Sequence, residues 1–183
     1  MVNAEQLSSS ALYFAASAML TSIVSVSIDT WEITNTIPSS GNFRRGLWRA
    51  CENEICDRLP DTKFLLVVRV FMLLGVLGLT LSVVVQVVTG RVVSSSAVLT
   101  NVGTMGPFIA GLCCMIAFAV YKDNIKVTSS GKECGSGFVL AIVSWILAWL
   151  SAFLGYYRKF SDGSEETKRE VSGVSNVTYS TAP

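Results

Sequence analysis

The sequence predicts an all-α integral membrane protein, a left-handed four-helix bundle. Three observations carry that expectation. Four long apolar runs divide the chain. Only 15% of its 183 residues are charged, where a soluble domain carries about 25%. Each run also bears small residues at three- and four-residue spacing. The mean hydropathy of +0.53 agrees with the first two.

The runs cover about residues 7–28, 64–88, 97–120 and 136–157. Each holds roughly 22–25 residues, and about 20 suffice to cross the ~30 Å hydrocarbon core as a helix. The first run is read as a retained span. Met1–Gln6 lacks a basic residue, and the run exceeds the apolar core of a cleaved leader.

The small-residue stripes say how the spans pack. The first span has Ser8, Ala11, Ala15, Ala18, Ser22 and Ser25; the second has Gly75, Gly78 and Ser82. The third has Gly103, Gly106, Ala110, Cys113 and Ala117; the fourth has Ala141, Ser144, Ala148, Ser151 and Gly155. Such spacing keeps one helix face in register. Lipid gives no hydrophobic push between helices, so close approach over small residues must drive association.

The same residues exclude several functions. Arg69 is the one charged residue inside a run, about five residues or ~8 Å from its start. From there it can snorkel to the headgroups or pair with an acid in the preceding loop. No acid or lysine lies deep in a span to relay protons, which argues against a carrier. Histidine is absent, and no metal-ligand spacing or acidic cluster takes its place. The chain is therefore read as non-enzymatic, with no metal and no cofactor. A net charge of +1 offers no field for nucleic acid.

Four spans put both termini on one side and the loops 29–63 and 121–135 on the other. Residues 1–160 form the membrane domain, and the polar tail 161–183 reads as disordered. The tail ends Tyr179-Ser180-Thr181-Ala182-Pro183, which is not a hydrophobic carboxy-terminal ligand for a PDZ groove. Basic residues alone favour termini outside, since Arg44, Arg45, Arg49, Arg58, Lys63, Lys122, Lys126 and Lys132 outweigh Arg91, Arg158, Lys159, Lys168 and Arg169. Cys51 and Cys56, in the long loop, are either a disulfide in an oxidising compartment or two free thiols. Cys113 and Cys114 read as packing residues, and Cys134 as a free thiol or an intermolecular bridge. Trp31-Glu32-Ile33-Thr34 alternates like a strand, Pro38–Gly41 reads as a turn, and Phe43–Ala50 as a second strand.

Within the long loop stand Trp31, then Gly46-Leu47-Trp48, then Cys51 and Cys56. That order, ahead of a second span carrying Arg69-Val70-Phe71-Met72-Leu73-Leu74, resembles the claudin superfamily. Its members include the claudins, peripheral myelin protein 22, the epithelial membrane proteins, lens fibre membrane intrinsic protein and calcium-channel gamma subunits. Gly135-Ser136-Gly137-Phe138 is similar to the start of their fourth helix. The short first loop and the close cysteines are most similar to the epithelial membrane and lens fibre branch.

The resemblance implies cytosolic termini, an extracellular Cys51–Cys56 disulfide and a small extracellular antiparallel sheet from the first loop. Gly46, Leu47 and Trp48 are then expected to seat that sheet on the bundle. It implies a multi-pass plasma-membrane protein at cell junctions, acting in cell–cell contact, junction organisation or membrane architecture. Its partners would be membrane lipids and further copies of itself, in cis or in trans. The gamma-subunit branch implies the alternative, an accessory subunit of a channel or receptor.

Overall fold

The computed structural model describes residues 4–34, 43–52, 55–91, 97–128 and 132–177. Its helices are α1 (Ala4–Ser27), α2 (Lys63–Arg91), α3 (Ala97–Thr128) and α4 (Ser136–Val177). Its strands are β1 (Glu32–Thr34), β2 (Phe43–Arg45), β3 (Arg49–Glu52), β4 (Ile55–Arg58) and β5 (Lys132–Cys134). Four stretches are long and apolar enough to cross a membrane: Gln6–Ser27, Lys63–Gly90, Asn101–Asn124 and Ser136–Ser161. α1 packs on α2 and α4, and α3 packs on the same two helices.

The small residues make these contacts. On the α1–α4 seam, Ser25 Oγ donates to the Gly137 carbonyl at 2.7 Å. Ser144 Oγ donates to the Ala18 carbonyl at 2.9 Å and Ser151 Oγ to the Ala11 carbonyl at 2.8 Å. The three contacts recur every seventh residue on both helices and run in opposite directions along the two chains. A seven-residue contact repeat is the signature of left-handed packing. Each serine meets a carbonyl already bonded within its helix, so the link adds a second acceptor role without orphaning a group.

α2 and α3 also meet closely, over glycines. A Cβ added at Gly75 would lie 2.6 Å from Cys114 Sγ, and one at Gly106 would lie 2.0 Å from Ser82 Oγ. Here the sequence reading needs one correction. The stripe residue of α3 is Cys114, which is fully buried, and not Cys113, which is only half-buried.

Pro107 sits inside α3 and lacks the N–H that would bond the Gly103 carbonyl. Gln86 of α2 supplies the missing donor: its Nε2 bonds that carbonyl at 2.9 Å. A proline is thus tolerated in a span because a neighbouring helix satisfies the freed group.

The sheet is antiparallel, in the order β4-β3-β2-β1-β5. It differs from the sequence expectation in three respects, the first being the additional strand β4. The expected strand Phe43–Ala50 is two strands, broken at Gly46-Leu47-Trp48, where Gly46 N–H bonds the Arg49 carbonyl at 2.8 Å. The sheet also takes a strand from the second loop: β5 pairs with β1, Glu32 opposite Cys134. α3 continues to Thr128, so much of the stretch 121–135 is helix.

At the opposite end, α4 runs to Val177, into the stretch 161–183 whose composition suggested disorder. A helix already nucleated extends at the small cost of propagation, and Glu165, Glu166, Lys168, Arg169 and Glu170 are good helix formers. The turn expected at Pro38–Gly41 and the residues 178–183 lie outside the described residues.

Candidate functional site

The motif residues of the long loop converge where the sheet meets the bundle. α1 ends there, and its last carbonyls need donors. Ile28 N–H bonds the Val24 carbonyl at 3.0 Å. Trp31 Nε1 bonds the Ser25 carbonyl at 2.7 Å, and Trp48 Nε1 bonds the Val26 carbonyl at 2.9 Å. The two tryptophans therefore cap α1 with their indoles.

Trp31 is fully buried, so it is not an aromatic anchor facing lipid. Its ring meets Tyr121 edge-on at 5.0 Å and Phe138 at 6.3 Å. α4 begins against the same ring. A Cβ added at Gly137 would lie 2.6 Å from Trp31 Cδ1, and one at Gly135 would lie 2.1 Å from the Thr30 carbonyl oxygen. Gly135 N–H bonds the Trp31 carbonyl and Gly137 N–H the Thr30 carbonyl, both at 2.9 Å. The two glycines let α4 start flush against the chain leaving α1.

The Gly46-Leu47-Trp48 segment performs three tasks. A Cβ added at Gly46 would come within 2.5 Å of Asp29 Cα, so only glycine lets the segment close on the end of α1. Leu47 is fully buried in the cluster of Trp31, Leu65, Val68 and Met72. Its carbonyl accepts from Arg69 Nε at 2.8 Å.

Arg69 is 6% exposed and satisfied on three sides. Besides Leu47, its Nη1 pairs with Asp61 of the preceding loop. Its guanidinium carbon lies 5.0 Å from the Trp48 ring centroid. Of the two fates open to Arg69 from sequence, the structure selects pairing with a loop acid. A cation so held costs less to bury, because Nε and Nη1 are bonded and its charge is paired.

Cys51 and Cys56 form a disulfide and face each other across the β3–β4 hairpin. They lie apart from the seat, toward the edge of the sheet where all of β4 is exposed. Cys134 is an exposed thiol on β5, at the other edge. Among the described residues, no three His, Cys, Asp or Glu side chains gather as a metal-binding group.

The arrangement can therefore hold a surface rigidly. Motif residues set the sheet on the bundle, and the strands present the charged residues Arg44, Arg49, Glu52, Asp57 and Arg58 to the surroundings. Sequence reasoning did not single out Asp61, Tyr121 or Gln86. An isolated glutamine in the second apolar run, opposite a proline in the third, was a usable signal for the last. Tyr121 carried none beyond its closeness to a span end.

A comparison with curated proteins returns no match. The profile of the PMP-22/EMP/MP20/Claudin family matches residues 6–157, which takes in the whole sheet, nearly all of the first three helices and the fourth as far as residue 157. Four membrane-crossing helices, a sheet seated by its loop motif and a match over most of the length agree, and this multi-pass membrane protein belongs to the PMP-22/EMP/MP20/Claudin family.

Proposed function

We propose that the protein acts at the plasma membrane in cell–cell contact, junction organisation or membrane architecture, presenting its sheet to the outside. The observation that supports this reading is the seat itself. Two indole caps, a fully buried leucine and a three-sided arginine clamp hold a polar sheet in fixed orientation on the bundle. Such rigidity lowers the cost of recognising another surface. The small-residue faces are consumed between the chain's own helices, which leaves the sheet as the surface for self-association.

In the proposed orientation the disulfide lies in an oxidising space and both termini in the cytosol. The sequon Asn176-Val177-Thr178 then stays unglycosylated. Treatment with an enzyme that removes N-glycans is expected to leave gel mobility unchanged, and a shift lost in Asn176→Gln would reverse the orientation. Within the family we place the chain with the short-loop branch, on the close Cys51 and Cys56 that face each other across one hairpin.

The role is tested by expressing the protein in non-adherent cells. Aggregation and enrichment at contact sites are expected. Diffuse surface signal with unchanged adhesion and barrier function would overturn the contact role, and co-purification with a larger multispan partner would then favour the accessory-subunit reading.

A further inference from the structure

A buried polar group sits beneath the sheet, apart from the Arg69 clamp. Strand register places Arg45 of β2 and Cys134 of β5 directly opposite Glu32 of β1. Directly opposed residues point to the same face, so the three form one row. That face is turned inward at Glu32, only 2% exposed, and is exposed at Cys134 on the edge strand. Tyr121 of α3 lies below the row, 1% exposed, with Glu32, Arg45 and Cys134 all within its electrostatic reach. Its ring is occupied by Trp31. Its hydroxyl is buried and bonds no group among the described residues, and the same holds for Arg45 Nε. The Arg45 guanidinium carbon lies 5.9 Å from the Phe64 ring centroid, which anchors that side chain without using its Nε–H.

We propose that this group binds one internal water molecule, which joins the sheet to the bundle. The chemistry selects water over other small occupants. Arg45 Nε–H and the Tyr121 hydroxyl are two donors, and the Glu32 carboxylate is an acceptor. A metal ion would face the Arg45 charge, and an anion would face Glu32. Water accepts from both donors and donates to the carboxylate, giving about three bonds, the number typical of a buried water. The apolar half of the seat is Trp31 against Tyr121 and Phe138. The water completes its polar half, and Tyr121 takes part in both.

The experiment is a density map of the full chain in a lipid nanodisc, at a resolution that shows ordered water, paired with thermal unfolding of Tyr121→Phe. Expected are a discrete density within hydrogen-bond distance of Tyr121 Oη and Arg45 Nε, and a midpoint lowered by roughly 2–6 °C in the variant. A dry site would reverse the second result, because removing an orphaned hydroxyl leaves the midpoint unchanged or raises it. A map in which Tyr121 bonds Glu32 directly, with nothing between, would also overturn the proposal. If Tyr121→Phe does not fold, the map of the unmodified chain decides alone.

Discussion

Arg69 shows how one charged side chain in an apolar run is made to fit. Its Nε fills the need of a buried carbonyl, Leu47, and its charge is answered by Asp61 and the Trp48 ring. Arg69→Leu leaves that carbonyl without a donor, at about 1.5–3 kcal/mol for a bond to a charged group. Each kcal/mol shifts the melting midpoint by roughly 2–4 °C at this chain length, so a loss of several degrees is expected in detergent or nanodisc. Arg69→Lys is expected to recover only part of it, because an ammonium lacks the planar fork that serves Leu47 and Asp61 together. Gln86 offers a sharper test. Gln86→Leu strips the donor from the Gly103 carbonyl, at about 0.6–1.7 kcal/mol for a hydrogen bond between membrane helices. Pro107→Ala restores the backbone N–H to that carbonyl. The cost of Gln86→Leu should therefore shrink toward zero in the Pro107→Ala background, and a double-mutant cycle by thermal unfolding reads the difference. The need of Arg69 for a partner was legible in the sequence, since a cation near a span end must pair or snorkel. The identity of Leu47 as its acceptor was not, because a carbonyl carries no sequence mark.

Among the elements, the helices were the most legible and the shortest strands the least. A span must satisfy its whole backbone internally, so length and apolarity alone announce it. The stripes were legible for the same kind of reason: Ala11, Ala18 and Ser25 repeat every seventh residue, as do Ser144 and Ser151, and the structure adds Gly137 one step before them. Cys113 was chosen over Cys114 because two adjacent small residues satisfy a three-or-four rule equally well, and only the position of Gly75 across the interface decides. β5 was invisible because three residues carry no period, and its pairing with β1 joins positions about a hundred apart. The break at Gly46-Leu47-Trp48 was hidden by the strand-forming Phe43 and Trp48 on either side of Gly46. The start of α4 is where these elements meet. Gly137→Ala sets a methyl within 2.6 Å of the Trp31 ring, backed by Tyr121 and Phe138. Overpacking of that kind costs about 1–3 kcal/mol. A lower melting midpoint and a changed tryptophan emission are expected, whereas an unchanged spectrum would mean that the ring has room to move.

For the molecule as a whole, the seat and the disulfide divide the task of holding the sheet. Trp31, Leu47, Trp48 and Arg69 fix β1 and the β2–β3 junction to the bundle. β4 is held less firmly: it is exposed along its length, pairs with β3 alone among the described strands, and reaches the seat through Leu59 just beyond it, whose N–H bonds the Trp48 carbonyl at 3.1 Å. An exposed edge strand with no core beneath it adds little stability of its own. The Cys51–Cys56 bond closes it over a sequence separation of 5, and so short a loop gains only about 2 kcal/mol from closure. That is small for a whole domain but matters to an edge strand held by one neighbour. Its loss should therefore unravel the sheet's edge and leave the four helices in place. Cys51→Ser, Cys56→Ser and the double variant are each expected to keep the helical circular dichroism of the unmodified protein. They are expected to reach the cell surface at reduced levels, because a frayed edge exposes unpaired strand groups to quality control. Surface biotinylation measures the fraction delivered. The double variant separates a structural staple from a reactive thiol: a defect shared by all three variants belongs to the missing bond, and one confined to the single variants belongs to the cysteine left unpaired.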